Sequence, residues 1–88
     1  MSLSPALRQQ LINERLVQAF SPNYLEVIDD SAQHIGHAGS ADGAGHYTVI
    51  ITADVFKVMS RVAIHREIYA VLADLIPAEI HALQIKLK

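Results

Sequence analysis

The chain has no cysteine. It can form no disulfide, offer no thiolate nucleophile, and bind neither zinc nor an iron–sulfur cluster through its own sulfur. Long apolar runs are missing as well. Runs such as Val49-Ile50-Ile51 are short, and the longest, Ile68 to Ala73, reaches six residues, against the ~20 that a membrane-spanning helix needs. The start, MSLSPALRQQ, has no basic residues leading into an apolar stretch. No signal peptide and no membrane association are therefore read, and the cytoplasm is the expected compartment. Seven Lys and Arg against nine Asp and Glu give a net charge of −2, so the strongly basic footprint of a nucleic-acid binder is absent overall. The imbalance is local instead. Residues 21–54 hold no Lys or Arg, whereas Lys57, Arg61, Arg66, Lys86 and Lys88 follow from residue 57 onward. No phosphate loop, serine elbow or working pair of carboxylates is found, so no enzymatic activity is expected.

What is present suffices for a small core. The composition is 51% hydrophobic and 18% charged, too apolar for a disordered segment. Its length suits one domain over residues 1–88, hiding roughly 60% of its unfolded surface. Pro5 in a first turn and Ser4 as its cap predict a helix over 5–19. Ile12, Leu16, Ala19 and Phe20 form one apolar line on it, and Leu7 and Leu11 a second. Ser21-Pro22-Asn23 ends the helix. Tyr24 to Asp30 reads as a strand. Residues 31–45 then collect all four glycines, with His34 and His37 among them. A loop of this length is usually functional or disordered.

His46 to Thr52 reads as a second strand, with Tyr47, Val49 and Ile51 on one face, pairing antiparallel with the first. Asp54 can cap a short turn within 53–59, and Ser60 can cap a helix over 61–75 with a core stripe of Ile64, Ile68, Val71, Leu72 and Leu75. Ile80 to Lys88 reads as a third strand. Period-2 alternation sets His81 beside Leu83, Ile85 and Leu87, so His81 is expected to face the core in a structural role. His46 is expected to organise the end of the loop. The order α-β-β-(short α)-α-β predicts an α+β domain with helices on one face of a small mixed three-stranded sheet.

Four segments of this pattern resemble the BolA-like family: QAFSPNYLEVIDDS at the first helix–strand junction, HIGHAGSADGAGHY in the loop, IHREIYAVLADLI in the long helix, and IHALQIK in the last strand. The resemblance spans roughly residues 7–87. Two positions depart from the family pattern. Phe56 is followed by Lys57 and Val58 where a Phe-x-Gly is usual, and Ile64 replaces the first arginine of R-H-R. The resemblance implies the class II KH-like fold αββααβ, in agreement with the element order. It also implies a partnership with a monothiol glutaredoxin, the two proteins sharing a bridging [2Fe–2S] cluster in iron–sulfur assembly or iron signalling. For some members it implies DNA-binding regulation of stress response and cell shape.

On this resemblance His65 and a loop histidine, His34 or His37, are the expected ligands. Their thiolate counterparts would come from the glutaredoxin and glutathione. Imidazole in place of thiolate removes negative charge and raises a cluster's potential, as in Rieske centres. It also makes binding weaken in acid, over roughly pH 6–7. Lys57, Arg61 and Arg66, with the C-terminal lysines, form a basic face for the partner or for DNA. KH-type RNA binding is not expected, because Lys57-Val58-Met59-Ser60 stands where a G-x-x-G would be needed. Alone, the chain is expected to be a monomer or weak homodimer with no cluster bound.

Overall fold

The computed structural model describes residues 3–31 and 44–88. Helix α1, Pro5–Phe20, starts at Ser4, whose side chain accepts from the Leu7 N–H, and stops at Ser21 in the left-handed region at φ 46°. Strand β1, Tyr24–Asp29, pairs antiparallel with β2, Gly45–Thr52, from Tyr24↔Thr52 to Asp29↔Tyr47. A 3-10 turn at Asp54–Val58 leads to helix α2, Arg61–Val71, which Ser60 caps by accepting from the Ala63 N–H. A second 3-10 turn, Ala73–Leu75, leads to β3, Ile80–Leu87, which lies parallel to β2. The sheet order is β1-β2-β3.

One face of the sheet carries the core. Tyr47, Val49 and Ile51 of β2 are buried against Ile12 and Leu16 of α1 and Ile64 and Ile68 of α2, with Leu72 and Leu75 beyond. Phe20 and Phe56 close one end, their ring centroids 5.1 Å apart. Each fully buried aliphatic side chain contributes about 1.5–3 kcal/mol, so the periodic apolar positions decide the packing. The wide apolar surface of α1 is only partly used. Leu11 and Phe20 pack on the core, Ala19 is exposed, and Leu7 is 47% exposed.

Three expectations need correction. The expected 61–75 helix stops at Val71, because Leu72 leaves helical geometry at φ −103°, ψ 8°; the apolar stripe continues through the 3-10 turn, so Leu72 and Leu75 stay buried. The short helix before α2 is 3-10 throughout. The alternation of β3 breaks at its start. Gly45 faces Ile80, but His46 faces Ala82, so His81 is an extra residue in a bulge. The bulge turns Ile80 into the core at 1% exposure while Leu83 keeps its place beside the core. His81 is consequently exposed, not buried. Two apolar residues three apart can share a strand face only if the phase slips between them.

Candidate functional site

The base of the 32–43 segment is closed by backbone groups at both ends. The Asp30 N–H donates to the His46 carbonyl at 2.7 Å, and the His46 N–H donates to Ser31 Oγ at 3.1 Å. The Gly45 N–H donates to the Glu79 carbonyl at 3.0 Å. Asp30 also accepts from the Thr48 hydroxyl. His46 was expected to organise the end of the loop; these bonds hold its backbone beside Asp30 and Ser31. The bulge sets His81 against His46, with ring centroids 5.2 Å apart and planes at 50°.

Behind this pair the support is buried. Tyr47 lies beneath it at 2% exposure, its ring against the Gly45 backbone. Burial pushes the Tyr47 phenol above its ordinary pKa, while the Arg8 guanidinium beside it pulls the other way. Arg8 donates through Nε to Glu79 Oε1 at 3.2 Å and through Nη2 to the Leu3 carbonyl at 3.1 Å. The Leu3 N–H completes the knot on Glu79 Oε1 at 2.8 Å. Arg8 and Glu79 keep only 4% and 13% of their side chains exposed. Sequence reasoning passed over Arg8; its i, i+4, i+8 spacing with Ile12 and Leu16 was the available signal that it faces inward.

His65 stands elsewhere. The Tyr69 hydroxyl donates to the Leu83 carbonyl at 3.1 Å, while Ile64 shares a cavity with Leu87. α2 therefore runs antiparallel to β3, and His65 belongs to the Leu87 end, away from His81 at the other. His65 is half-buried and lines a groove of about 420 Å3 with Arg61, Val62, Arg66 and Tyr69. Arg61 and Arg66 are exposed there. Lys57 pairs with Asp54 at 3.3 Å, both side chains 76% exposed. His34 and His37 lie outside the described residues. The structure thus brings together His46 and His81, which the sequence reading kept apart from the metal, and does not bring His65 to them.

Two imidazoles on one tetrahedral ion, each nitrogen about 2.0–2.1 Å from it, hold their ring centres roughly 5 Å apart. The His46–His81 spacing agrees with that. No group of three or more His, Cys, Asp or Glu is placed to hold a metal among the described residues. A metal held by the pair would need further donors from outside the described residues.

Comparisons with known proteins agree with the fold. The sequence model of the family described as BolA-like protein matches residues 16–88. The BolA domain of SufE1 from Arabidopsis thaliana superposes with a TM-score of 0.80 at 38% identity, covering 98% of this chain and 93% of that one. The SufE-like protein 1 of the same plant, chloroplastic/mitochondrial, is 43% identical over 86 residues, which is 92% of this chain but 23% of that protein. The DNA-binding transcriptional regulator BolA of Escherichia coli (strain K12) is 36% identical over 77 residues, 88% of this chain and 70% of that protein.

Proposed function

Since this chain belongs to the BolA-like family, we propose that it is a non-enzymatic partner of a monothiol glutaredoxin and shares with it a bridging [2Fe–2S] cluster. The observation that carries this reading is the imidazole pair at the base of the loop. His81 is exposed on a bulge, its ring set by His46, and backbone bonds tie both ends of the loop to the same place. A ligand set of His81 with His46 or a loop histidine, His34 or His37, replaces the set built on His65. Thiolates come from the glutaredoxin and glutathione, since this chain has none. When bound, the cluster supplies one-electron chemistry, at a potential that imidazole ligation raises. Arg8, Glu79 and Tyr47 hold the bulge from behind and fix where the imidazoles stand.

The test is a titration of this chain into glutaredoxin loaded with cluster and glutathione, followed by visible circular dichroism. A new spectrum is expected, and His81→Ala should abolish it while His65→Ala leaves it. The opposite pattern restores the ligand set built on His65, and no spectral change for the parent chain ends the reading.

A second reading has an observation of its own. Arg61 and Arg66 are exposed on α2 with no carboxylate paired to either among the described residues, and a relative is named a DNA-binding transcriptional regulator. DNA binding through that face would fall steeply with salt and be lost with Arg61→Glu. Binding that is flat across salt would exclude it.

A further inference from the structure

α2 shows solvent a face that no residue of the described chain neutralises. At 100° per residue, Arg61, Val62, His65, Arg66 and Tyr69 fall within about 140° of arc. They line the groove of about 420 Å3. The core residues Ile64, Ile68 and Val71 lie to one side, and Glu67, the helix's one carboxylate, points nearly opposite the groove. Apolar surface is mixed with the charge. Val62 is 60% exposed, Tyr69 42% and, just before the helix, Val58 89%.

This face borders an open sheet edge. β3 is an outer strand of the sheet. Its Leu83 carbonyl turns away from β2 to accept from Tyr69, whereas the Lys88 N–H turns inward to the Ile51 carbonyl. Period-2 alternation therefore turns the N–H and C=O groups of Ile85 and Leu87 outward, alongside the groove. Those groups form a template for a further strand. Side chains of an added strand alternate between the open face and the helix layer, so every second one would lie on the side of α2, the helix that carries Arg61 and Arg66.

We propose that the β3 edge and the α2 groove together form a docking site for an extended acidic segment of a partner protein. The segment adds a fourth strand beside Ile85 and Leu87 and sets carboxylates at alternate positions against Arg61 and Arg66. Charge complementarity decides the sign of the occupant: the groove holds two arginines, β3 holds Lys86, and neither element turns a carboxylate toward it. The chemistry of the edge decides its class. Ladder hydrogen bonds recognise a peptide backbone, not a phosphodiester. Two arginines interleaved with valines, on a chain of net charge −2, make a weak phosphate track. Docking here needs no metal, so it stands or falls separately from cluster sharing.

The experiment uses the full metal-free chain and a fluorescent peptide of about ten residues alternating Glu and Thr. Saturable binding is expected, at roughly 10–100 μM. Arg61→Glu with Arg66→Glu should weaken it by about tenfold or more, and the milder pair Arg61→Gln with Arg66→Gln by less. A Lys–Thr peptide, and the Glu–Thr peptide N-methylated at alternate residues, should not bind. In the parent chain the Ile85 and Leu87 amides should gain hydrogen-exchange protection on binding. The proposal is overturned by an absence of saturation below about 1 mM, by equal binding of the N-methylated peptide, or by unchanged protection at Ile85 and Leu87. Displacement of the peptide by a DNA duplex that binds the same face more tightly overturns it too.

Discussion

At Gly45 the backbone passes so close to Tyr47 that a Cβ would sit 2.4 Å from ring carbon Cε2 and 2.7 Å from the hydroxyl. The ring cannot retreat, because it is buried at 2% exposure. Gly45→Ala is therefore expected to destabilise the domain by about 1–3 kcal/mol through overpacking, read as a lower denaturant midpoint. An unchanged midpoint would mean the ring has room that the structure denies it. The same tight corner positions the neighbouring His46, so the variant should also weaken the His46–His81 contact. The inward face of Tyr47 was readable in advance from its alternation with Val49 and Ile51. The exposure of His81 was not readable, since the alternation rule assumes a strand with no bulge.

Among the elements, α1 and the turn after α2 are joined by a bidentate pair in which Arg15 Nη2 donates to Asp74 Oδ2 at 2.8 Å and Nη1 to Oδ1. The Arg15 hydrogen bond holds the Asp74 carboxyl below its ordinary range. A carboxyl lowered by folding adds stability above its unfolded value, near 3.9, and that stability is lost as pH falls through the lower folded value. The Asp74 side chain is 63% exposed, so the effect on the midpoint of unfolding should be small and screened by salt. The titration itself is the better measurement. By carbon-detected NMR, the Asp74 carboxyl should titrate below a free aspartate, and Arg15→Gln should return it to the ordinary range. A titration that Arg15→Gln leaves in place would remove the ion pair as the cause. Helices α1 and α2 were legible because caps at Ser4 and Ser60 and apolar periodicity agree. The Arg15–Asp74 bridge was not, because its partners are 59 residues apart.

For the molecule as a whole, the buried knot of Leu3, Arg8 and Glu79 ties the first helix to the entrance of the last strand across 71 residues. Removing one side of such a pair leaves an uncompensated charge in a dry place. Arg8→Ala is expected to cost about 3–5 kcal/mol, whereas Arg8→Met with Glu79→Leu should cost much less. Equal losses for the two variants in chemical denaturation would show that packing, not charge, accounts for Arg8. Because Glu79 also accepts from Gly45 through its carbonyl, the single variant should disturb the imidazole pair as well, and with it any cluster spectrum formed with a glutaredoxin.

Composition and periodicity by themselves determined the element order, the helical stripe of Ile64 and Ile68, the inward face of Tyr47, Val49 and Ile51, and the need for any thiolate to come from another molecule. These depend on neighbours along the chain, or on residues that are simply absent. Which histidines meet was decided only by the tertiary structure. Burying both Ile80 and Leu83 forces one extra residue into β3, and that slip turns His81 out toward His46 while α2 carries His65 to the other end of the strand. No local rule sets the phase of a strand whose first residue is held by a core formed elsewhere.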